Sequence, residues 1–199
     1  MLLSETIELK ALFGIIAVAL TFVGYIPYLH GIINGKTRPH IFSWLIWLLD
    51  DCVIFALQFT HGAGPGSFVI LSAGLLSVVV LILTLRHKGK QDITPSDIVF
   101  SILAIAALVL WIFAKQPLIS TLLIIAVNMF ALMPTIRKSW HKPHSENATF
   151  YAINTVRFIL TLLALQTYTL ITALHPTTWL FVNGLFALML ILRRKKLYE

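Results

Sequence analysis

The sequence predicts an all-α membrane protein: seven transmembrane helices, arranged as two parallel three-helix bundles joined by an inversion linker helix. Three observations predict it. The 199 residues are 58% hydrophobic and only 12% charged, and the charges gather between long apolar runs, as in a chain that crosses a bilayer repeatedly. Lysine and arginine concentrate in alternate connections. A pattern from the first part of the chain also returns at a spacing of 107 residues.

The apolar segments lie at 10–30, 40–60, 66–86, 95–114, 117–136, 148–170 and 177–193. Most reach the roughly 20 residues that a membrane helix needs; the last is near the short limit. The start, MLLSETIELK, is short and acidic and lacks a basic n-region and cleavage site, so it is expected to be a mature end preceding the first span. Thr94-Pro95-Ser96-Asp97 supplies a capping threonine, a proline at the first helical position and an acid three residues after the cap. Pro39, Pro117 and Pro176 are also placed at helix starts. Pro27 and Pro134 instead fall in the last turns of the first and fifth spans. There each removes a backbone hydrogen bond and kinks its helix, and such breaks are tolerated in membranes where they line a cavity.

The loop charges set the orientation. With the N-terminus outside, the inner side holds Lys36, Arg38, Arg86, Lys88, Lys90, Arg137, Lys138, Lys142 and the run Arg193–Lys196. The outer side holds only Lys10 and Lys115, a bias that places the N-terminus outside and the C-terminus in the cytoplasm. The net charge of +7 is thereby accounted for by topology and by anionic lipid headgroups, with no nucleic acid as partner. The compact chain and short loops point to a bacterial cytoplasmic (inner) membrane; homo-oligomerisation stays open. A single cysteine, Cys52, excludes an intrachain disulfide.

The repeat gives the domain organisation. At a shift of 107, Thr21 falls on Asn128, Val23 on Phe130, Pro27 on Pro134, Trp44 on Tyr151, Trp47 on Asn154 and Asp50 on Arg157. Further on, a shift of 108 aligns Ala56-Leu57-Gln58 with Ala164-Leu165-Gln166, and GLLSVVVLIL from Gly74 matches GLFALMLIL from Gly184. Two three-helix units of like orientation need one helix between them. The expected division is a first repeat over 1–90, a linker helix over 91–115 and a second repeat over 116–199.

Candidate functional residues follow from charge at membrane depth. Asp50 and Asp51 sit half-way along the second segment, where an aspartate costs about 2.5–3.5 kcal/mol. Residues three and four apart share a helix face, so Trp44, Trp47 and Asp51 form one stripe, with Asp50 beside it. Asn147, Tyr151, Asn154, Arg157 and Thr161 form another on the sixth segment. Packed about the repeat axis, the two stripes face each other across a central cavity, with Asn128 and Asn183 completing it and Thr21 and Tyr25 near its rim. Trp47, Asp50, Asp51, Asn128, Tyr151, Asn154, Arg157 and Asn183 are therefore the candidate solute-binding residues. Trp44, near the inner boundary, reads as an interfacial anchor. Two carboxylates against one guanidinium leave one acid over, and Asp50 or Asp51 is expected to carry a proton coupled to solute movement. The competing reading is an Asp–Arg pair that merely locks the halves together.

Other features carry less. His141 and His144 have a ligand-like spacing, but Pro143 interrupts the helix and only Glu146 is near, so no metal is expected. His30 and His40 flank the first inner loop, and His61 and His175 are placed in outer loops, interfacial or solvated. The glycine-rich run at 62–66 lacks the lysine and strand context of a nucleotide loop. No HExxH, nucleophile elbow or His–Asp cluster appears, so neither an enzyme nor a cofactor is expected.

The three-plus-one-plus-three arrangement, with Pro27 and Pro134 near the inner end of the first helix of each repeat, resembles the SWEET and PQ-loop superfamily. That group holds sugar uniporters, proton-coupled amino-acid exporters and the KDEL receptors. The name-giving Pro-Gln pair is here Pro27-Tyr28 and Pro134-Thr135. Asn183 matches an asparagine that lines the central site in sugar-transporting members; its partner position holds Ser72 or Ala73. The Trp44/Trp47 spacing also looks like that of bacterial nicotinamide riboside transporters. The resemblance implies a transporter of a small polar solute (sugar, nucleoside, vitamin or amino acid) working by alternating access, with Pro27 and Pro134 as gating points. A peptide receptor on the same fold would want several basic groups in its cavity, and the spans hold one arginine. A structural membrane protein is the other alternative.

Overall fold

The structure, a computed structural model, describes residues 2–86, 94–113 and 116–196. Seven α-helices follow one another: α1 (Leu2–Ile33), α2 (Ile41–Thr60), α3 (Pro65–Arg86), α4 (Pro95–Phe113), α5 (Pro117–His141), α6 (Ala148–Ala164) and α7 (Leu170–Lys196), with a 3₁₀ turn at Pro143–Ser145 between α5 and α6. No strand occurs among the described residues. Lys88, Lys90 and Lys115, the 90/91 boundary and the side chain of Asp97 lie outside the described residues. Among the described residues, five helices, at Ile7–Ile33, Ile41–Thr60, Pro65–Arg86, Pro117–His141 and Leu170–Lys196, are long and apolar enough to cross a membrane. The sixth helix, of 17 residues, is shorter.

The surface is apolar, and the interior mixes an apolar core with many polar side chains. Ile15, Phe113, Phe181 and Leu185 are all more than three-fifths exposed, whereas Ser43, Asp50, Gln58, Ser67, Asn128, Arg157 and His175 are buried. A protein in water places these classes the other way round, so the outer belt suits lipid. Several buried hydroxyls satisfy themselves on their own helix: Thr21 donates to Ala17 O, Thr84 to Val80 O and Thr161 to Arg157 O.

The helices pair in a definite pattern. α1 packs on α3 and α6, α2 on α3 and α5, α5 on α7, and α6 on α7, with α4 against α5. Close approach of α1 to its two neighbours depends on glycine. A Cβ at Gly14 would lie 2.7 Å from Pro65 Cβ of α3, and one at Gly24 would lie 2.9 Å from Ile153 Cγ2 of α6.

Three helices contain an internal proline: Pro27 in α1, Pro134 in α5 and Pro176 in α7. Placement of Pro176 at a helix start is corrected here. The break between the last two helices falls at 165–169, because that segment docks on the α2–α3 turn, where Gln166 N donates to Ala63 O at 3.2 Å. Thr169 and Thr172 then cap α7 reciprocally, each hydroxyl accepting the other's backbone N–H, at 3.2 Å and 2.9 Å. Pro176 therefore lies inside α7 and leaves the Thr172 carbonyl without its helical donor. Gln58 of α2 supplies one: its Nε2 donates to Thr172 O at 3.2 Å.

The other two prolines are also met from across the molecule. Asn147 caps α6 by accepting from Phe150 N at 3.1 Å and donates its Nδ2 to Pro27 O at 3.1 Å. Ser43 of α2 donates to Ala131 O, in the turn of α5 that Pro134 disturbs.

Candidate functional site

The site is built on the facing stripes of α2 and α6. Along α2 the buried side is Ser43, Trp44, Trp47, Asp50, Ile54 and Gln58; along α6 it is Phe150, Tyr151, Asn154, Arg157, Phe158 and Thr161. Both follow the three-and-four spacing of one helix face. Between them lies a cavity of about 60 Å³, room for several waters where one needs about 10–15 Å³. Trp47, Asp50, Asp51, Asn128, Tyr151, Asn154, Arg157 and Asn183, the eight residues singled out in the sequence, all line it. Pro27 and Pro134 do not.

Aromatic rings form its walls. Trp44 and Trp47 meet edge to face at 5.4 Å, Trp47 meets Trp179 at 5.7 Å, and Tyr25 meets Phe150 at 5.0 Å. The expectation that Trp44 anchors at the interface is overturned. It is 2% exposed, lines the cavity and donates Nε1 to the Tyr28 hydroxyl at 3.2 Å. It sits one turn into α2, and the loops from 34 to 40 and 142 to 147 close over that end.

The charged groups are arranged differently from a simple acid–guanidinium pair. Asp50 Oδ2 accepts from Asn128 Nδ2 at 2.7 Å and lies 3.5 Å from His175 Nε2. Asp51 Oδ2 accepts from Ser77 of α3 at 3.3 Å. Among the described residues no ion pair joins Arg157 to either aspartate. Its guanidinium lies 4.3 Å over the Phe158 ring, and its Nε and Nη1 have no hydrogen-bond partner. Trp47 Nε1, Asp50 Oδ1 and Asn128 Oδ1 are likewise unpartnered. Asn154 and Asn183 each donate to a carbonyl of their own helix, at 2.9 Å and 2.7 Å. Four of the lining residues thus carry three orphan donor atoms and two orphan acceptor atoms. Each such buried group costs about 1–3 kcal/mol unless something hydrogen-bonds it.

Sequence reasoning misplaced two histidines. His40, expected beside the first inner loop as interfacial or solvated, is 2% exposed; His175, expected in an outer loop on the same terms, is 1% exposed and inside α7. Pro176 suggested a helix start and so pushed its neighbour outside. The signal that could have found it is Asp50 itself, a mid-span carboxylate that calls for a donor on a facing helix. Thr21 is buried but bonds back to its own helix, away from the cavity. His141 ends α5 and His144 lies in the 3₁₀ turn; among the described residues no three metal-ligating side chains cluster.

A second polar group closes the end beyond Trp44. Glu146, 2% exposed, accepts from the Tyr28 and Tyr151 hydroxyls on Oε2, at 3.1 and 3.2 Å, and pairs with Lys138 Nζ through Oε1. Lys138 also donates to Arg38 O, and Arg194 donates to the Glu146 carbonyl. The carboxylate therefore joins α1, α5 and α6, while the Glu146 carbonyl adds α7 and Lys138 adds the α1–α2 loop.

Comparison of the chain with protein-family models, with characterised proteins and with solved structures found no match.

Proposed function

We propose that the chain is an integral membrane transporter of a small polar solute, working by alternating access between two three-helix units, α1–α3 and α5–α7, joined by α4. The helix pairing supports this. Exchanging α1 for α5, α2 for α6 and α3 for α7 turns the α1–α3 contact into α5–α7, α2–α3 into α6–α7 and α1–α6 into α5–α2, and all of these contacts are present. A two-fold axis along the membrane normal relates parallel repeats in this way, and their shared site lies where the units meet. The N-terminus is outside and the C-terminus cytoplasmic, in a bacterial cytoplasmic membrane.

One observation carries the reading: Arg157, Trp47, Asp50 and Asn128 line one aromatic-walled cavity between the units, and each carries a buried polar atom without a hydrogen-bond partner. An arginine meant only to lock the halves would be paired. A guanidinium with free donors suits the carboxylate of an amino acid or the hydroxyls of a sugar or nucleoside.

The test is a thermal-shift screen of purified protein against sugars, nucleosides, vitamins and amino acids, followed by uptake into proteoliposomes. A ligand at a hundred times its Kd stabilises the folded state by about 2.7 kcal/mol. One solute class should raise the melting temperature and enter the vesicles, and Arg157→Met should lose both effects. Binding without flux would make the protein a receptor. No response to any class would sink the transport reading.

A further inference from the structure

Two aspartates stand side by side on α2, and the structure separates them by what each one bridges. Asp51 is bonded by Ser77 of α3, so its link stays within the first three-helix unit. Asp50 reaches across: its carboxylate lies 3.5 Å from His175 of α7 and accepts from Asn128 of α5. Of the two aspartates, Asp50 alone therefore bonds across the seam along which the two units would have to part.

Polar links across the seam are sparse. Beside the Trp47–Trp179 ring contact, α7 meets α2 through Asp50–His175 and, two turns further along α2, through the Gln58 bond to the carbonyl that Pro176 frees. The Asn128 bond holds Asp50 Oδ2, whereas neither imidazole nitrogen of His175 has a hydrogen-bond partner and Asp50 Oδ1 has none. A histidine buried only for packing would have at least one nitrogen satisfied. The partner of His175, Asp50, opens on the cavity. The groups that surround the pair are few: Asp51 beside Asp50 on α2, Arg157 from α6, Tyr25 from α1 and the neutral Asn128 from α5, all lining the same space.

We propose that His175 and Asp50 form the proton-coupling pair of this protein, one proton between them tying α7 to α2 and its departure to water loosening the seam at the Gln58 end of the cavity. The consequence for transport rests on the function proposed above; the pair itself does not. With the proton present, an imidazolium faces a carboxylate. Without it, a neutral imidazole faces the same carboxylate and the attraction across the seam falls. The proton comes from and returns to bulk water, and no other group changes. Asp51 takes no part.

The pair has a built-in reporter. The Trp179 ring lies 6.4 Å from the His175 ring, and a protonated imidazole quenches a nearby indole. Purified full-length protein, with no solute present, would be titrated by tryptophan fluorescence. Wild type and Asp51→Asn should both show a single-proton step. His175→Gln should abolish it, and Asp50→Asn should displace it. In a Cys52→Ser background, the rate at which Ile54→Cys reacts with a water-soluble maleimide, divided by that of a free thiol at the same pH, should rise several-fold across the step and stay flat once His175→Gln is added. A step that survives His175→Gln, or that vanishes in Asp51→Asn, overturns the proposal. Should His175→Gln fail to fold, Asp50→Asn decides alone, since an undisplaced step refutes the pairing. Failure of the solute screen leaves these readouts standing, and solute uptake without a His175-dependent step would refute the pair while keeping the transporter.

Discussion

Arg157 is where the binding-site and structural-lock readings make opposite predictions. A buried ion pair that loses one partner typically costs 3–5 kcal/mol, because the other charge is left uncompensated. Arg157 has no ion-pair partner among the described residues and leaves Nε and Nη1 unbonded. Arg157→Met, which keeps the side-chain length, should therefore leave the melting temperature of the solute-free protein unchanged or raised. A fall of several degrees, matched by Asp51→Asn, would restore the lock. Legibility at this scale followed the charge itself. Asp50, Asp51 and Arg157 stood out in the sequence because a charge in an apolar run is conspicuous. His175 did not, since histidine is unremarkable near a helix end and Pro176 suggested that an end was there.

At the scale of the element, prolines and their cross-molecule partners decide the shape of α7. The Thr172 carbonyl lacks a helical donor because of Pro176 and takes one from Gln58 instead. Gln58→Leu should cost about 1–3 kcal/mol by stranding that carbonyl. Pro176→Ala restores the missing N–H, so the Gln58→Leu penalty should shrink in that background. The two changes form a double-mutant cycle read by thermal melts in detergent. An unchanged penalty would mean that Gln58 acts through packing alone. The helix starts at 41, 65, 95 and 117 were legible within a residue or two, because proline punctuation and apolar runs are local. The 164/170 break was not. It depends on Gln166 meeting Ala63 and on the Thr169–Thr172 cap, and the first of these joins residues far apart in sequence.

For the whole molecule, the cavity has a strong closure at the Glu146 end and a sparse one at the Gln58 end. Glu146 pairs with Lys138, itself 4% exposed, and accepts from two tyrosines on α1 and α6. Glu146→Gln removes the counter-ion of a buried ammonium, so it should destabilise by about 3–5 kcal/mol, the largest effect among the variants named here. It should also admit water-soluble reagents to the cavity from the side of the basic loops, measured with a cysteine at Trp44 in the Cys52→Ser background. A Glu146→Gln protein that melts like wild type and stays closed would show that this cluster is no gate.

Sequence alone determined the class of the molecule and the chemistry available to it: an all-helical chain with spans of membrane length, and two carboxylates and one guanidinium within apolar segments. These follow from local composition and from helical period, which a single strand of text carries. Tertiary structure decided the pairing. It gave Asp50 to Asn128 and His175, left Arg157 unpartnered, drew Trp44 from the interface into the core and made Glu146 a hub. Each of those contacts joins distant parts of the chain, and which donor a buried acid meets depends on how neighbouring helices are rotated and staggered. No periodicity within one helix records that.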